Sequence, residues 1–207
     1  MKVMTLKNAA IILAGGSGTR FGNEKKQFFV FHGKMLYQIV LDKVLECIER
    51  DNVVVVGVDV PGGETRTKSV TNGLNYLNKD YDRVIILEAA RPLVTVDQIK
   101  TLLDDNSPST SFVMPCVNTP IYRNGKYINR NELYDLLVPQ AFDFKMLKDA
   151  ISTGKYYDYT DDTKIMFEEY GITPKLIETK QNLYKVTYKR DIAVLESIEE
   201  LMKEGNI

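Results

Sequence analysis

The stretch that most constrains the fold runs from Ala10 to Gly22, Ala-Ile-Ile-Leu-Ala-Gly-Gly-Ser-Gly-Thr-Arg-Phe-Gly, with Lys25-Lys26-Gln27 close behind. Its apolar half predicts a buried strand over Asn8–Leu13. Gly15, Gly16, Gly18 and Gly22 predict a loop at the carboxyl end of that strand. Glycine admits positive φ and lets backbone approach a ligand closely. Successive backbone N–H groups in such a loop form a nest for anions, and Arg20 and Lys26 add full positive charge. The stretch therefore reads as a polyphosphate site. It matches neither common nucleotide motif: Phe21 stands where a dinucleotide fingerprint needs its third glycine, and no lysine follows a glycine at Walker A spacing.

The rest of the chain supports an α/β reading. Strands are predicted at Asn52–Val58, Arg83–Leu87 and Ser111–Pro115. Helical spacing is predicted at Met35–Ile48, Thr65–Leu77 and Val96–Leu103. This alternation implies a doubly wound, mostly parallel sheet with helices on both faces. Residues 117–132 break the rhythm. Ile121–Ile128 holds two short β-type runs around Asn124-Gly125, a hairpin signal, and reads as a projecting arm able to clasp a second subunit. Beyond it, Asp143–Thr153 reads as a helix. Thr160-Asp161-Asp162-Thr163 opens another that Gly171 ends. Lys175–Glu178 and Leu183–Thr187 read as strands, and Lys189–Lys203 as a closing helix. No linker interrupts the chain, so residues 1–207 read as one domain.

Composition excludes several classes. Lys and Arg number 27 against 28 Asp and Glu, so no global field favours nucleic acid or a membrane surface. No apolar run reaches membrane-spanning length and no signal peptide precedes the first strand, which points to the cytoplasm. Cys47 and Cys116 lack metal-ligand spacing, and His32 reads as a surface turn residue.

Leu13–Gly22, then Lys26-Gln27-Phe28 and Gly33-Lys34, resembles the signature of the cytidylyltransferases that make CDP-linked polyols. The family includes the 2-C-methyl-D-erythritol 4-phosphate enzymes of isoprenoid synthesis and the ribitol-5-phosphate enzymes of wall and capsule polymers. The resemblance continues in order through Gly62–Val70 with Asn72-Gly73-Leu74, Glu88-Ala89-Ala90-Arg91-Pro92, Arg130-Asn131, Leu133-Tyr134 and Pro139-Gln140-Ala141-Phe142, Thr160–Asp162 and Lys185–Thr187. It implies attack by a substrate phosphate on the α-phosphorus of CTP, with pyrophosphate leaving. It further implies that Arg20, Lys26 and Lys185 neutralise the triphosphate and transition state, and that Ala14, Gly15, Gly16, Ser17, Gly18, Gly63, Glu64 and Ser69 hold the nucleotide. Glu88, Arg91, Thr119 and Arg130 would then meet the acceptor, the last two across a homodimer. Magnesium is expected with the triphosphate, and its ligands stay open: Asp161 and Asp162 read either as metal ligands or as a helix N-cap pair.

Departures from the family pattern are also visible. Glu88 stands where the family usually has Asp, Lys25 replaces a proline, and Asp59-Val60-Pro61 takes the place of a helix and strand. The Ala-Gly-Gly run and Ile128-Asn129-Arg130 with Leu133-Tyr134 favour the wall or capsule branch, with methylerythritol phosphate as the alternative acceptor. A sugar-1-phosphate nucleotidylyltransferase and a non-catalytic nucleotide-binding protein are the other readings.

Overall fold

The computed structural model describes residues 6–22, 24–179 and 183–206. Strand β1 (Asn8–Leu13) leads into the glycine loop. A two-stranded turn, β2 (Val30–Phe31) and β3 (Lys34–Met35), precedes helix α1 (Leu36–Leu45). Then come β4 (Val53–Val56), α2 (Arg66–Tyr76), β5 (Arg83–Glu88), α3 (Val96–Asp104) and β6 (Ser109–Pro115). After the arm follow β7 (Tyr134–Asp143), α4 (Phe144–Ser152), α5 (Asp162–Tyr170), β8 (Lys175–Glu178) and α6 (Asp191–Lys203).

The main sheet has the order β4-β1-β5-β7-β6-β8. β1 runs parallel to β4 and β5, and β6 parallel to β8; β7 alone is antiparallel to its neighbours β5 and β6. Alternating side chains along each strand go to opposite faces. Ala10, Ile12, Val53, Val55, Ile85 and Leu87 meet Val40 and Val44 of α1 and Ile99 and Leu102 of α3. Ala9, Ile11, Val54, Val56, Val84 and Ile86 meet Val70 and Leu74 of α2 and Leu147, Ile165 and Met166 of α4 and α5. Each fully buried aliphatic side chain contributes about 1.5–3 kcal/mol, so both faces anchor the sheet. A third cluster ties Phe21 of the glycine loop to Phe31, Leu36, Val186 and Leu195. This explains a bulky side chain inside an otherwise glycine-rich loop: Phe21 is its anchor.

Two differences from the sequence reading concern strands. β7 falls where no strand is predicted. Pro139 interrupts its apolar run, and proline cannot donate to a ladder. The strand accommodates it at an irregularity, where the pairing with β6 shifts between Ser111 and Val113 and the Ser111 hydroxyl donates to the Leu137 carbonyl at 2.9 Å. Conversely, Leu183–Thr187 is not a strand. Its backbone is held by the loop after β5 and by cations: Val186 N–H donates to the Ala90 carbonyl (2.8 Å), Lys26 Nζ to the Val186 carbonyl (3.0 Å) and Arg91 to the Leu183 carbonyl.

β4 is the outer strand on one side, and side chains meet its outward backbone groups. Arg50 Nη1 donates to the Val53 carbonyl at 2.7 Å and Val55 N–H donates to Asp59 Oδ2 at 2.8 Å. Arg50 and Asp59 pair with each other at 2.8 Å. The arm forms as expected around Asn124-Gly125, with Gly125 at φ 85° and an antiparallel bridge between Ile121 and Tyr127. His32 sits in a tight turn at φ 47°, with Nε2 3.0 Å from Glu199 Oε2.

Candidate active site

The carboxyl ends of β1, β4 and β5 open onto one cleft of about 680 Å³. Open α/β sheets present ligand sites at this edge. Two glycine turns form its walls, one after β1 and one between β4 and α2. They touch backbone to backbone: a Cβ on Gly15 would lie 2.7 Å from the Gly62 Cα. Gly18 takes φ 69°, and Phe21 N–H donates to its carbonyl at 2.7 Å, closing the loop. Gln27, buried, donates from Nε2 to the Gly16 carbonyl at 3.1 Å.

Ala14, Gly15, Gly16, Ser17, Gly63, Glu64 and Ser69 line this cleft together with Arg20, Lys26, Lys185 and Glu88. Gly18 lies in the same loop but is not among the residues that line the cleft. Ser69 is buried and its hydroxyl closes the second turn, accepting from Gly63 N–H at 3.0 Å and donating to the Thr65 carbonyl at 3.1 Å. Glu64 accepts from the Tyr157 hydroxyl at 2.8 Å, which ties the same turn to the segment between α4 and α5. The Thr65 side chain caps α2 by accepting from Lys68 N–H at 3.1 Å.

At the centre stands Glu88, the last residue of β5. Lys185 Nζ is 2.8 Å from Oε2, Arg91 Nε 3.3 Å from the same oxygen, and Arg66 Nε 3.9 Å from Oε1. Burial by itself would raise the Glu88 carboxyl. Lys185, Arg91 and Arg66 overcome that and hold it below the ordinary glutamate value. Burial lowers the Lys26 pKa, and the positive charges of Lys185, Arg20 and Arg91 lower it further, against a raising influence from Glu88. That pattern records a concentration of positive charge around one cavity, suited to an anion.

Arg66 was not singled out by sequence reasoning, and Asp162 was read there only as a metal ligand or half of an N-cap pair. Arg66 Nη1 lies 2.6 Å from Oδ2 of Asp162, whose side chain is fully buried. The two meet charge to charge without an aligned hydrogen bond. Burial raises the Asp162 pKa against the pull of Arg66. For Arg66, burial pulls downward, but Asp162 and Glu88 prevail and raise it. Asp161 is the N-cap of α5. It accepts from Thr163 N–H and Lys164 N–H, and its other oxygen accepts from Gln140 Nε2 at 2.8 Å. Both aspartates thus have structural partners. Among the described residues no group of three or more His, Cys, Asp or Glu is placed to hold a metal ion, and Glu88, beside the cleft's backbone turns, is already occupied by cations. The described residues do not build a protein cage for magnesium.

Thr119 and Arg130 stand apart from the cleft. Both are exposed on the arm, where Arg130 Nη1 donates to the Val117 carbonyl at 2.7 Å. Among the described residues no helix is long and apolar enough to cross a membrane.

A sheet of this topology, with a glycine loop after its first strand and a cationic cleft at its carboxyl edge, defines a Rossmann-like nucleotidyltransferase. Solved structures with this fold include those titled 4-diphosphocytidyl-2C-methyl-D-erythritol synthase from Anaerococcus prevotii (TM-score 0.77, 21% identity, covering 94% of this chain and 96% of that one). Another is 2-C-methyl-D-erythritol 4-phosphate cytidylyltransferase from Thermus thermophilus (TM-score 0.74, 20% identity, covering 92% and 98%). The family model for 2-C-methyl-D-erythritol 4-phosphate cytidylyltransferase matches residues 58–200, and the chain belongs to that family. Relatives of that name from Clostridium botulinum and Thermotoga neapolitana are 32% and 30% identical. The first match covers 94% of this chain and 98% of the relative, the second 92% and 96%. The chain is a CTP-dependent nucleotidyltransferase.

These matches correct one expectation. The sequence favoured a ribitol-5-phosphate enzyme of wall or capsule synthesis, whereas the family model and these relatives carry the methylerythritol phosphate name. Of the residues behind that preference, Gly15 and Gly16 line the cleft, and the 128–134 run belongs to the arm and its return.

Proposed function

We propose that this protein transfers a cytidylyl group from CTP to the phosphate of 2-C-methyl-D-erythritol 4-phosphate, releasing pyrophosphate. One observation carries the reading above all: Arg20, Lys26 and Lys185, from distant parts of the chain, line one cleft with both glycine turns. The reaction joins two anions and builds charge on the leaving pyrophosphate, so it needs fixed cations and alignment more than a proton acceptor. Arg20 and Lys26 sit beside the glycine loop and serve the β- and γ-phosphates together with the N–H groups of Gly16, Ser17 and Gly18. Lys185 serves the α-phosphate, between nucleotide and acceptor. Ala14, Gly15, Gly63, Glu64 and Ser69 take the base. Glu88 and Arg91 face the acceptor side.

Magnesium enters with the triphosphate, whose oxygens supply its ligands. The chain acts as a single cytoplasmic domain, residues 1–207, with residues 117–132 as a dimerisation arm. Exposed Ile121, Tyr122 and Tyr127 give that arm an apolar contact surface. Thr119 and Arg130, remote from their own cleft, reach the acceptor phosphate in the neighbouring copy. The test is pyrophosphate release from CTP and magnesium with 2-C-methyl-D-erythritol 4-phosphate. We expect turnover with this acceptor and little with glycerol phosphates. CTP binding without turnover on the methylerythritol acceptor overturns the reading.

A further inference from the structure

Arg66 is a charge that the proposed chemistry leaves without a task. It opens α2 and lines the cleft, yet its side chain is only 17% exposed. Its Nη2 is buried with no hydrogen-bond partner among the described residues, and Asp162 beneath it has no aligned partner for either oxygen. Burying two charges in this way carries a desolvation cost that their attraction must offset. A surface helix start has no need of such an arrangement.

The Glu88 cluster gives it one. Three cations surround this carboxylate, and they differ in freedom. Arg91 and Arg66 are 13% and 17% exposed, and Lys185 is 38% exposed. Arg91 is fixed by the Leu183 carbonyl and Arg66 by Asp162. Lys185 is the most exposed of the three, and both oxygens of Glu88 hold its Nζ, at 2.8 and 2.9 Å. For Lys185 to reach an incoming phosphate it must leave Glu88. A nearly buried carboxylate releases a cation readily only when other positive charge stays behind to balance it. Arg91 stands on the Oε2 side and Arg66 on the Oε1 side. Asp162 keeps Arg66 in that place: it lies in the first turn of α5, next to the N-cap Asp161, which Gln140 of β7 holds in turn.

We infer that Arg66, anchored by Asp162, is a positioning residue that balances Glu88 and thereby frees Lys185 for the substrate phosphates. The inference rests on the proposed function. It differs from a plain structural tie between α2 and α5 in one respect: the effect of Arg66 on turnover passes through the Glu88 charge.

The experiment is a mutant cycle on the full chain. Arg66→Met/Asp162→Asn removes both buried charges together, so neither is left alone. Glu88→Gln removes the carboxylate that competes for Lys185. Steady-state kcat and KM for CTP are measured for each variant and for the triple combination. We expect Arg66→Met/Asp162→Asn to lower kcat/KM for CTP about tenfold, the size of a coupling between contacting charges. We expect Glu88→Gln in that background to abolish the loss, leaving the triple variant within about twofold of Glu88→Gln alone. Losses that multiply, or a double variant as active as the unchanged protein, overturn the inference. Arg66→Gln, which removes the cation near Glu88 in a single substitution, goes through the same cycle with the same criteria should the double variant not fold. An unchanged protein with no turnover on CTP and methylerythritol phosphate instead overturns the proposed function, and this inference with it.

Discussion

At the residue scale, the site separates side chains that only meet substrate from those that also hold the fold. Arg20 is exposed at the cleft mouth, while Lys26 is half-buried with its amine on the Val186 carbonyl. Arg20→Ala should therefore cost about 10²–10³-fold in kcat, as removal of a preorganised transition-state partner does, with an unchanged melting temperature. Lys26→Ala should lose similar activity and also lower the melting temperature, because it releases the 183–187 segment. Pyrophosphate release and thermal melts on the two variants check this. Gly15 offers a second test. An alanine there would place Cβ 2.7 Å from the Gly62 Cα, and backbone, not a flexible side chain, must move. Gly15→Ala should weaken CTP binding at least tenfold by calorimetry while the sheet, read by circular dichroism, stays formed. Arg20, Lys26 and the glycines were legible in the sequence because a loop concentrates their chemistry in a few consecutive positions. Arg66 was not. At a helix start it looks like a solvated charge, and its meaning depends on Asp162 and Glu88, which only the fold brings to it.

At the element scale, strands with continuous β-branched or alternating apolar residues, such as β1, β4 and β5, declared themselves. β7 did not, because Pro139 and the buried polar Gln140 disguise a central strand. The 183–187 run misled in the other direction. It alternates as a strand does, with Leu183 and Val186 buried in different clusters, but cations and a loop supply its hydrogen-bond partners. The segment between α4 and α5 carries a pH-dependent tie to α5. The Tyr156 hydroxyl donates to Glu169 of α5, and that bond to a carboxylate, with burial adding to it, pushes the tyrosine up to about 12. A phenol whose pKa is raised on folding stabilises the fold fully below the ordinary tyrosine value. The contribution then drains away as pH climbs from about 10 to about 12. Melting curves across that window should show Tyr156→Phe losing less stability with rising pH than the unchanged protein does.

At the scale of the whole molecule, the arm is the part least explained by one chain. Ile121, Tyr122 and Tyr127 are 53%, 54% and 75% exposed on a hairpin that projects from the sheet. If a second copy covers them, Ile121→Ser/Tyr127→Ser should shift the protein from dimer to monomer in light scattering. Turnover should fall with it, although neither residue lines the cleft. A protein that stays dimeric and active in that variant removes the arm from the interface.

The Arg50–Asp59 pair on β4 bears on how such a molecule assembles and how its chain can vary. A free strand edge invites another chain to add itself, because its N–H and C=O groups lack partners. Here an arginine and an aspartate occupy the Val53 carbonyl and the Val55 N–H, and the backbone N–H groups of Val58 and Asp59 take the Val55 carbonyl, so growth of the sheet is stopped on that side by the chain's own turns and two side chains. Contact between copies is thereby steered toward other surfaces. Asp59 lies in the short turn at 58–62, so a change of length there must keep or replace the side chain that covers Val55 if β4 is to hold its register on β1 and the two glycine turns their contact.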